Sequence, residues 1–297
     1  MTVSANAKVN FTLEVFGKRA DGYHALRSVV MPISLSDTLD IDSTDNGEIT
    51  SDTGYDDDLC IKAARILRSS SLVPRPSSLG AVIRVVKRIP AGGGLGGGSA
   101  DAAAVLRALN ELWGVGLSRE ELAEVGAQVG SDVPALVMGC PVVMEGRGEI
   151  VKSIGACAYG DLSSDQPTSR PADQVRRLNL VLVNPGVHSS TKEVYAACET
   201  RSLDGENATA KMVEALDSGN PEEIAAALMN DLQAPAVKQH PEIADALVSL
   251  RTAGVIGAMM SGSGSSVFGI VENESEARRI SSEMNAHGYK AWPVQTL

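Results

Sequence analysis

Residues 92–98 hold six glycines and one leucine, inside the run Pro90-Ala91-Gly92-Gly93-Gly94-Leu95-Gly96-Gly97-Gly98-Ser99-Ala100-Asp101. Each glycine forfeits about 0.5 to 1 kcal/mol of backbone entropy relative to alanine, so so dense a run implies a ligand that the backbone must approach closely. A phosphate fits that need. Residues 100–113 predict a helix, with Ser99 as its N-cap and Leu106, Leu109 and Leu112 along one side. N–H groups of the loop, N–H groups of the helix start and the helix dipole then converge on one negative charge. A flexible linker is the plain alternative, but linkers rarely abut capped helices. Gly92, Gly94 and Gly97 also satisfy the dinucleotide-fingerprint spacing, which is nearly automatic in a glycine run. Context opposes that reading: Arg84, Lys87 and Arg88 interrupt the preceding strand, and the helix after the loop is followed by a second helix, not a strand. No Gly-Lys-Ser/Thr closes the run as a P-loop requires.

Other side chains could act beside such a loop. Over residues 5–16, Val9, Phe11, Leu13 and Val15 alternate with Lys8, Asn10, Thr12 and Glu14, which predicts a strand whose polar side faces solvent and points Lys8 and Asn10 the same way. Residues 17–24, Gly-Lys-Arg-Ala-Asp-Gly-Tyr-His, form a polar turn in which Tyr23 and His24 could grip a planar ligand. In Gly130-Ser131-Asp132-Val133-Pro134, the proline biases Val133 to extended backbone and ends a helix, leaving Asp132 at a corner between helix and strand. Such an aspartate serves equally as a turn cap or as a catalytic carboxylate. Asp52, Asp56, Asp57 and Asp58 precede a helix over 59–68, where capping outweighs metal binding. Residues 260–269 make a second glycine-serine loop, either a tight hairpin or, with the first loop, a shared phosphate cradle.

The elements that must position these groups describe an α+β chain. Strands are predicted at 26–33, 37–42, 81–89 and 178–184; helices at 118–129, 191–198, 208–217, 221–229, 241–253 and 274–288. Ser118 and Glu121 are spaced as a capping box. Residues 157–177, rich in Ser, Asp, Gln and Pro, read as a long connector between domains. At 297 residues, with 43% hydrophobic and 21% charged residues, each domain can bury its own core. Only 3% of residues are aromatic, so base stacking must rest on few side chains. A net charge of -11 disfavours nucleic acid and anionic membranes, so a polyphosphate ligand needs a local basic patch or Mg²⁺. Cys60, Cys140, Cys157 and Cys198 show no metal-ligand spacing and point to a reducing, cytoplasmic setting. The N-terminus carries no signal-peptide pattern, and the most apolar window, 133–144, is too short and too broken to span a membrane.

Lys8-Val9-Asn10, the loop at 90–99 and Ser261-Gly262-Ser263-Gly264, in that order, resemble the GHMP small-molecule kinase superfamily. Residues 7–10, 19–24, 90–103, 131–134, 145–149 (Glu-Gly-Arg-Gly-Glu) and 184–186 (Asn-Pro-Gly) together resemble, within it, the kinases of 4-diphosphocytidyl-2-C-methyl-D-erythritol. The Ala20-Asp21-Gly22-Tyr23-His24 turn is the discriminating piece. The resemblance implies a two-domain fold: a ribosomal-S5-domain-2-like N-terminal domain (1–156), the 157–177 connector and a ferredoxin-like α/β-plait C-terminal domain (178–297), with the site in the cleft between them. It implies transfer of the ATP γ-phosphoryl group to the 2-hydroxyl of the cytidyl-diphosphate substrate, a step of non-mevalonate (MEP pathway) isoprenoid precursor synthesis. By the same resemblance Lys8 and Asp132 are the catalytic pair. Lys87, Pro90, Ala91, Gly92, Gly93, Gly94, Leu95, Gly96, Gly97, Gly98, Ser99 and Ala100 bind ATP, with Ser99 near phosphate or Mg²⁺. Tyr23 and His24 recognise cytosine, Asn10 and Thr191 contact the substrate, and no protein metal-ligand set is implied.

Three departures stand out. The connector is longer than usual; Ala100 replaces a common serine or asparagine, removing any Mg²⁺ role there; and Asp58 stands where asparagine is common before the adenine-side helix. The resemblance leaves monomer and homodimer open. Another GHMP kinase, acting on homoserine, mevalonate or a sugar, and a non-catalytic nucleotide-binding module are the alternatives. Retention of both Lys8 and Asp132 argues against the module.

Overall fold

The alternating stretch at 5–16, expected as one strand, is divided at Phe11 between two strands of the first sheet, residues 2–10 and 12–18. A computed structural model of the chain describes residues 1–70, 78–154, 177–202 and 206–297, so most of the predicted connector lies outside the described residues. Up to residue 154 the chain forms β1 (Thr2–Asn10), β2 (Thr12–Lys18), β3 (His24–Thr44), β4 (Ile49–Ser51), α1 (Leu59–Ser69), β5 (Gly80–Val86), α2 (Gly97–Leu112), α3 (Arg119–Gly126), α4 (Val133–Met138), β6 (Val142–Gly146) and β7 (Ile150–Ser153). After residue 177 the chain forms β8 (Asn179–Asn184), α5 (Thr191–Ala196), α6 (Ala208–Ser218), α7 (Pro221–Ala226), β9 (Met229–Asn230), α8 (Gln233–Gln239), α9 (Glu242–Thr252), β10 (Gly257–Met260), β11 (Val267–Val271), α10 (Glu274–Ala286) and β12 (Lys290–Gln295).

The two strands expected at 26–33 and 37–42 are one strand, the 21-residue β3. Its sequence carries no glycine to reverse the chain, and its one proline, Pro32, falls beside the shift in register between Asn6 and Lys8 of β1. β3 pairs antiparallel with β1, β2, β5 and β6, and so forms the spine of the first sheet. The second sheet, β10-β11-β8-β12, is antiparallel throughout. The sheets are not independent: β9 runs parallel to β2, and the Leu297 N–H donates to the Pro32 carbonyl at 3.0 Å.

Val9, Phe11, Leu13 and Val15 are buried as their alternation predicts, but so are Lys8, Asn10, Thr12 and Glu14. The solvent-facing reading of that polar side is corrected, because the second domain covers it. The Thr12 and Thr209 hydroxyls lie 2.9 Å apart. The Glu14 carboxylate accepts the Ala208 and Thr209 N–H groups at the start of α6, both at 3.1 Å. A carboxylate there satisfies orphan donors and complements the helix dipole. Two further expectations change. The predicted helix 221–229 stops at Ala226, because Met229 and Asn230 are recruited to β2. α8 goes unanticipated because Pro235 looks like a breaker, yet it sits in the first turn, where proline is tolerated. The predicted capping boxes and caps hold at α3 (Ser118, Glu121) and α1 (Asp58). Among the described residues Cys60 and Cys198 are free thiols.

Candidate active site

The glycine loop joins β5 to α2, and its shape follows from three left-handed residues, Gly92, Gly94 and Gly96, at φ +66°, +74° and +68°. Left-handed residues at alternate positions are open to glycine, and such turns are the backbone setting in which N–H groups can gather around an anion. Gly96 is the N-cap of α2, so the expected Ser99 cap is corrected. The left-handed Gly96 starts the helix early and puts Ser99 in its first turn. Gly97, Gly98 and Ser99 thereby offer N–H groups without intrahelical acceptors. Each point of the loop meets a different partner. A Cβ on Gly92 would strike the His188 ring; one on Gly93 would lie 2.6 Å from Ser266 Oγ; one on Gly94 would strike the Ser261 carbonyl; one on Gly96 would lie 3.3 Å from Lys8 Cε; one on Gly98 would lie 3.5 Å from Leu59 Cδ1. The Ser266 N–H also donates to Gly93 O at 3.1 Å and Ser261 Oγ donates to Gly94 O at 3.0 Å. The β10–β11 connection is thus both a hairpin and the second wall of the loop.

Around these loops opens a cleft of about 1220 Å³. Its walls include Lys8, Asn10, Tyr23, His24, Lys87, Pro90 to Ser99, Asp132 and Thr191; Ala100, also expected to bind ATP, is buried behind the wall, in the α2 core face.

Lys8 is 3% exposed, threaded between Gly96 and Gly262. Its backbone N–H donates to Leu95 O at 3.1 Å, fixing strand to loop. Lys8 Nζ donates to Asn10 Oδ1 at 2.6 Å and lies 3.6 Å from Asp132 Oδ2. Asn10 Nδ2 donates to Ser28 Oγ at 2.8 Å, which sets the amide so that its oxygen faces the lysine. Asp132 stands at the N-cap of α4, so Pro134 starts a helix where the sequence suggested that it ends one. The carboxylate makes no capping hydrogen bond. A cap would bind the N–H of the second or third helical residue, and the second is Pro134, which has none. Asp132 is therefore left to face Lys8 and the cleft.

Lys87 sits between two carboxylates, Asp37 Oδ2 at 2.5 Å and Asp101 Oδ2 at 2.6 Å. Burial alone would lower the Lys87 pKa, but the two ion pairs outweigh it and raise it. Asp37 also accepts the Arg88 and Ile89 N–H groups and so anchors the approach to the loop. Asp101 has one buried oxygen, Oδ1, without a hydrogen-bond partner. Burial pushes its pKa up to about 7 against the pull of Lys87. A carboxyl whose native pKa exceeds its unfolded value of 3.8 keeps its proton in the folded state while the unfolded chain has lost it. Stability then falls as pH rises from about 4 to about 7. Urea unfolding at pH 5 and pH 8 is expected to show that loss in the parent and a flatter profile in Asp101→Asn.

At the other end of the cleft, Tyr23 is flanked by the Arg147 guanidinium, 5.3 Å from its ring centroid, and His24 stacks on Tyr195 at 5.7 Å. Burial raises the Tyr195 phenol pKa, with the Asp132 charge adding to it, so the ring stays neutral. Thr191 Oγ1 lies 2.8 Å from Ser263 Oγ, and Ser189 Oγ donates to Ser263 O at 2.7 Å. His188, Arg147, Tyr195 and Asp101 are cleft residues that the sequence did not single out, whereas Ser263 belongs to the 261–264 motif. Arg147 lay inside the noted 145–149 motif and Tyr195 one helical turn beyond Thr191, where i,i+4 residues share a face. Nothing local marked His188.

The GHMP kinases N terminal domain matches residues 58–140 and the GHMP kinases C terminal domain residues 212–290. A 4-diphosphocytidyl-2-C-methyl-D-erythritol kinase of Pelotomaculum thermopropionicum is 40% identical over 287 residues, covering 94% of this chain and 92% of that protein. The chain belongs to this kinase family. A Symbiobacterium thermophilum protein of the same name is 37% identical and is covered, like this chain, over its whole length. The crystal structure of a 4-(cytidine 5'-diphospho)-2C-methyl-D-erythritol kinase superposes with a TM-score of 0.78 at 31% identity, over 100% of this chain and 99% of that one. An L. major mevalonate kinase, at 18% identity and a TM-score of 0.66, shares the fold. The fold is therefore the two-domain GHMP kinase fold, and family membership places the glycine loop and Asp132 within the matched N-terminal region. No described helix is long and apolar enough to cross a membrane.

Proposed function

We propose that the protein transfers the γ-phosphoryl group of ATP to the 2-hydroxyl of 4-diphosphocytidyl-2-C-methyl-D-erythritol, giving the 2-phosphate and ADP. The carrying observation is the Lys8–Asp132 pair, 3.6 Å apart, beside a glycine loop on the wall of one cleft. The 2-hydroxyl oxygen attacks the γ-phosphorus, the bond from that phosphorus to the β-bridging oxygen breaks, and the hydroxyl proton passes to Asp132. Lys8, oriented by Asn10, stabilises the negative charge that develops on the transferring group. Residues 90–99 receive the phosphates, and Tyr23, His24 and Tyr195 hold the cytosine, with Asn10 and Thr191 towards the substrate.

Among the described residues no three His, Cys, Asp or Glu side chains form a metal cage. A Mg²⁺ carried on the nucleotide would be held towards Ser99 and would supply positive charge to the phosphates during transfer. The domain limits 1–156 and 178–297, joined by 157–177, belong to the same proposal, as does a cytoplasmic monomer or homodimer.

³¹P NMR of the protein with Mg-ATP and 4-diphosphocytidyl-2-C-methyl-D-erythritol is expected to show a new phosphomonoester signal alongside ADP. Silence from a folded, ADP-binding sample would sink the substrate assignment and turn attention to other alcohols.

A further inference from the structure

Residues 90–98 hold no Lys, Arg or His, and neither do residues 261–266, which wall the loop from the other side. The cations beside the loop are already committed. Lys8 faces Asp132, and Lys87 lies between Asp37 and Asp101. His188 differs from both. Its ring rests on Gly92, where a Cβ would lie 2.2 Å from the His188 Nδ1 and 2.6 Å from its Cε1. The residue is exposed and lines the cleft, and among the described residues neither ring nitrogen has a hydrogen-bond or ion-pair partner.

The backbone that carries this ring is held on both sides. Ser265 Oγ donates to Val187 O at 2.5 Å, Ser189 Oγ donates to Ser263 O at 2.7 Å, and the Gly186 N–H donates to Asn184 Oδ1 at 2.9 Å. The β10–β11 hairpin that takes two of these bonds also holds the glycine loop, through the Ser266 N–H and Gly93 O. Ring and loop are therefore fixed to one frame. An imidazole offers at least one N–H in either tautomer, and an N–H that meets a phosphate oxygen makes a charge-assisted hydrogen bond. A donor without a partner, set against the edge of a loop that otherwise offers only backbone N–H groups, is suited to a phosphate chain lying along that loop.

We infer that His188 donates a hydrogen bond to the phosphate chain of the phosphoryl donor, so that the glycine loop is completed by a side chain from the segment between β8 and α5. This rests on the kinase reading given above. Calorimetric titration of ADP, with no acceptor present, compares the parent, His188→Leu and His188→Gln. Leucine covers Gly92 but donates nothing, whereas glutamine keeps an N–H donor. The leucine variant is expected to bind ADP about tenfold more weakly and the glutamine variant within about threefold of the parent, from the lower end of what a hydrogen bond to a charged group contributes. Melting temperature and KM for the cytidyl acceptor stay at the parent's values in both. Equal ADP affinity in parent and leucine variant overturns the inference, and a raised acceptor KM alongside it would assign His188 to the acceptor's diphosphate instead. A glutamine variant as weak as leucine overturns it too, and each of these results leaves the kinase reading standing. A parent that binds no ADP at all overturns both.

Discussion

Replacing Asp132 with asparagine is expected to lower kcat about a thousandfold while melting temperature and ADP affinity stay close to those of the parent. The separation of the two effects comes from local geometry. Asp132 occupies a helix N-cap without making the capping hydrogen bond, so its carboxylate contributes little to α4. Asparagine keeps the size and polarity of the side chain and removes the proton acceptor. Lys8 is different: at 3% exposure it is packed between two glycines and pairs with Asn10, so truncating it leaves a cavity and an unpaired buried amide oxygen. A Lys8→Ala variant is thus expected to lose stability as well as turnover, and Asp132→Asn is the cleaner probe. Steady-state kinetics with a melting curve on the same sample checks it. An asparagine variant retaining more than a tenth of parent kcat would remove Asp132 from proton transfer.

The second large effect is expected at Gly94. Its backbone is left-handed at φ +74°, and a Cβ there would strike the Ser261 carbonyl oxygen while lying 3.0 Å from Gly264 O. Those obstacles are backbone atoms of the β10–β11 hairpin, which cannot rotate aside as a side chain can. Gly94→Ala is therefore expected to cost about 2 to 4 kcal/mol of stability and to abolish ADP binding at micromolar concentrations. Gly98→Ala supplies the contrast, because Gly98 is helical and its Cβ would make an ordinary 3.5 Å contact with Leu59. It is expected to be neutral or to stabilise by about 0.5 to 1 kcal/mol. Urea unfolding of the pair separates a loop that needs glycine for its contacts from one that merely contains it.

The phosphate-binding character of the chain was legible because it resides in glycine, whose cost demands a reason, and the order of helices after the loop was enough to set aside a dinucleotide fold. The burial of Lys8, Asn10, Thr12 and Glu14 was not legible. Alternation states that two faces differ; it does not state that a second domain, starting over 160 residues later, lies on the polar one. Asp37 went unseen for the same reason, since its partners Lys87, Arg88 and Ile89 are about 50 residues away. Pro134 and Pro235 misled in a common way: proline stops a helix from within but begins one comfortably, and a single sequence does not reveal which side of the boundary it occupies. The 21-residue β3 escaped because its polar middle, Ser34 to Ser36, mimics a turn.

The stitching of Gly93 and Gly94 to Ser261 and Ser266 has a consequence for the order in which the molecule matures. The glycine loop leaves the ribosome more than 160 residues before the hairpin that completes its wall. Until the hairpin has folded and β12 has closed the second sheet, the loop lacks the contacts that hold its shape. A nascent chain that ends before residue 261 therefore carries the loop without the two hydrogen bonds that Ser261 and Ser266 make to it. Such dependence on distant partners slows folding relative to a helical bundle of equal length. It also ties the finished shape of the loop to the presence of a segment from the far half of the chain.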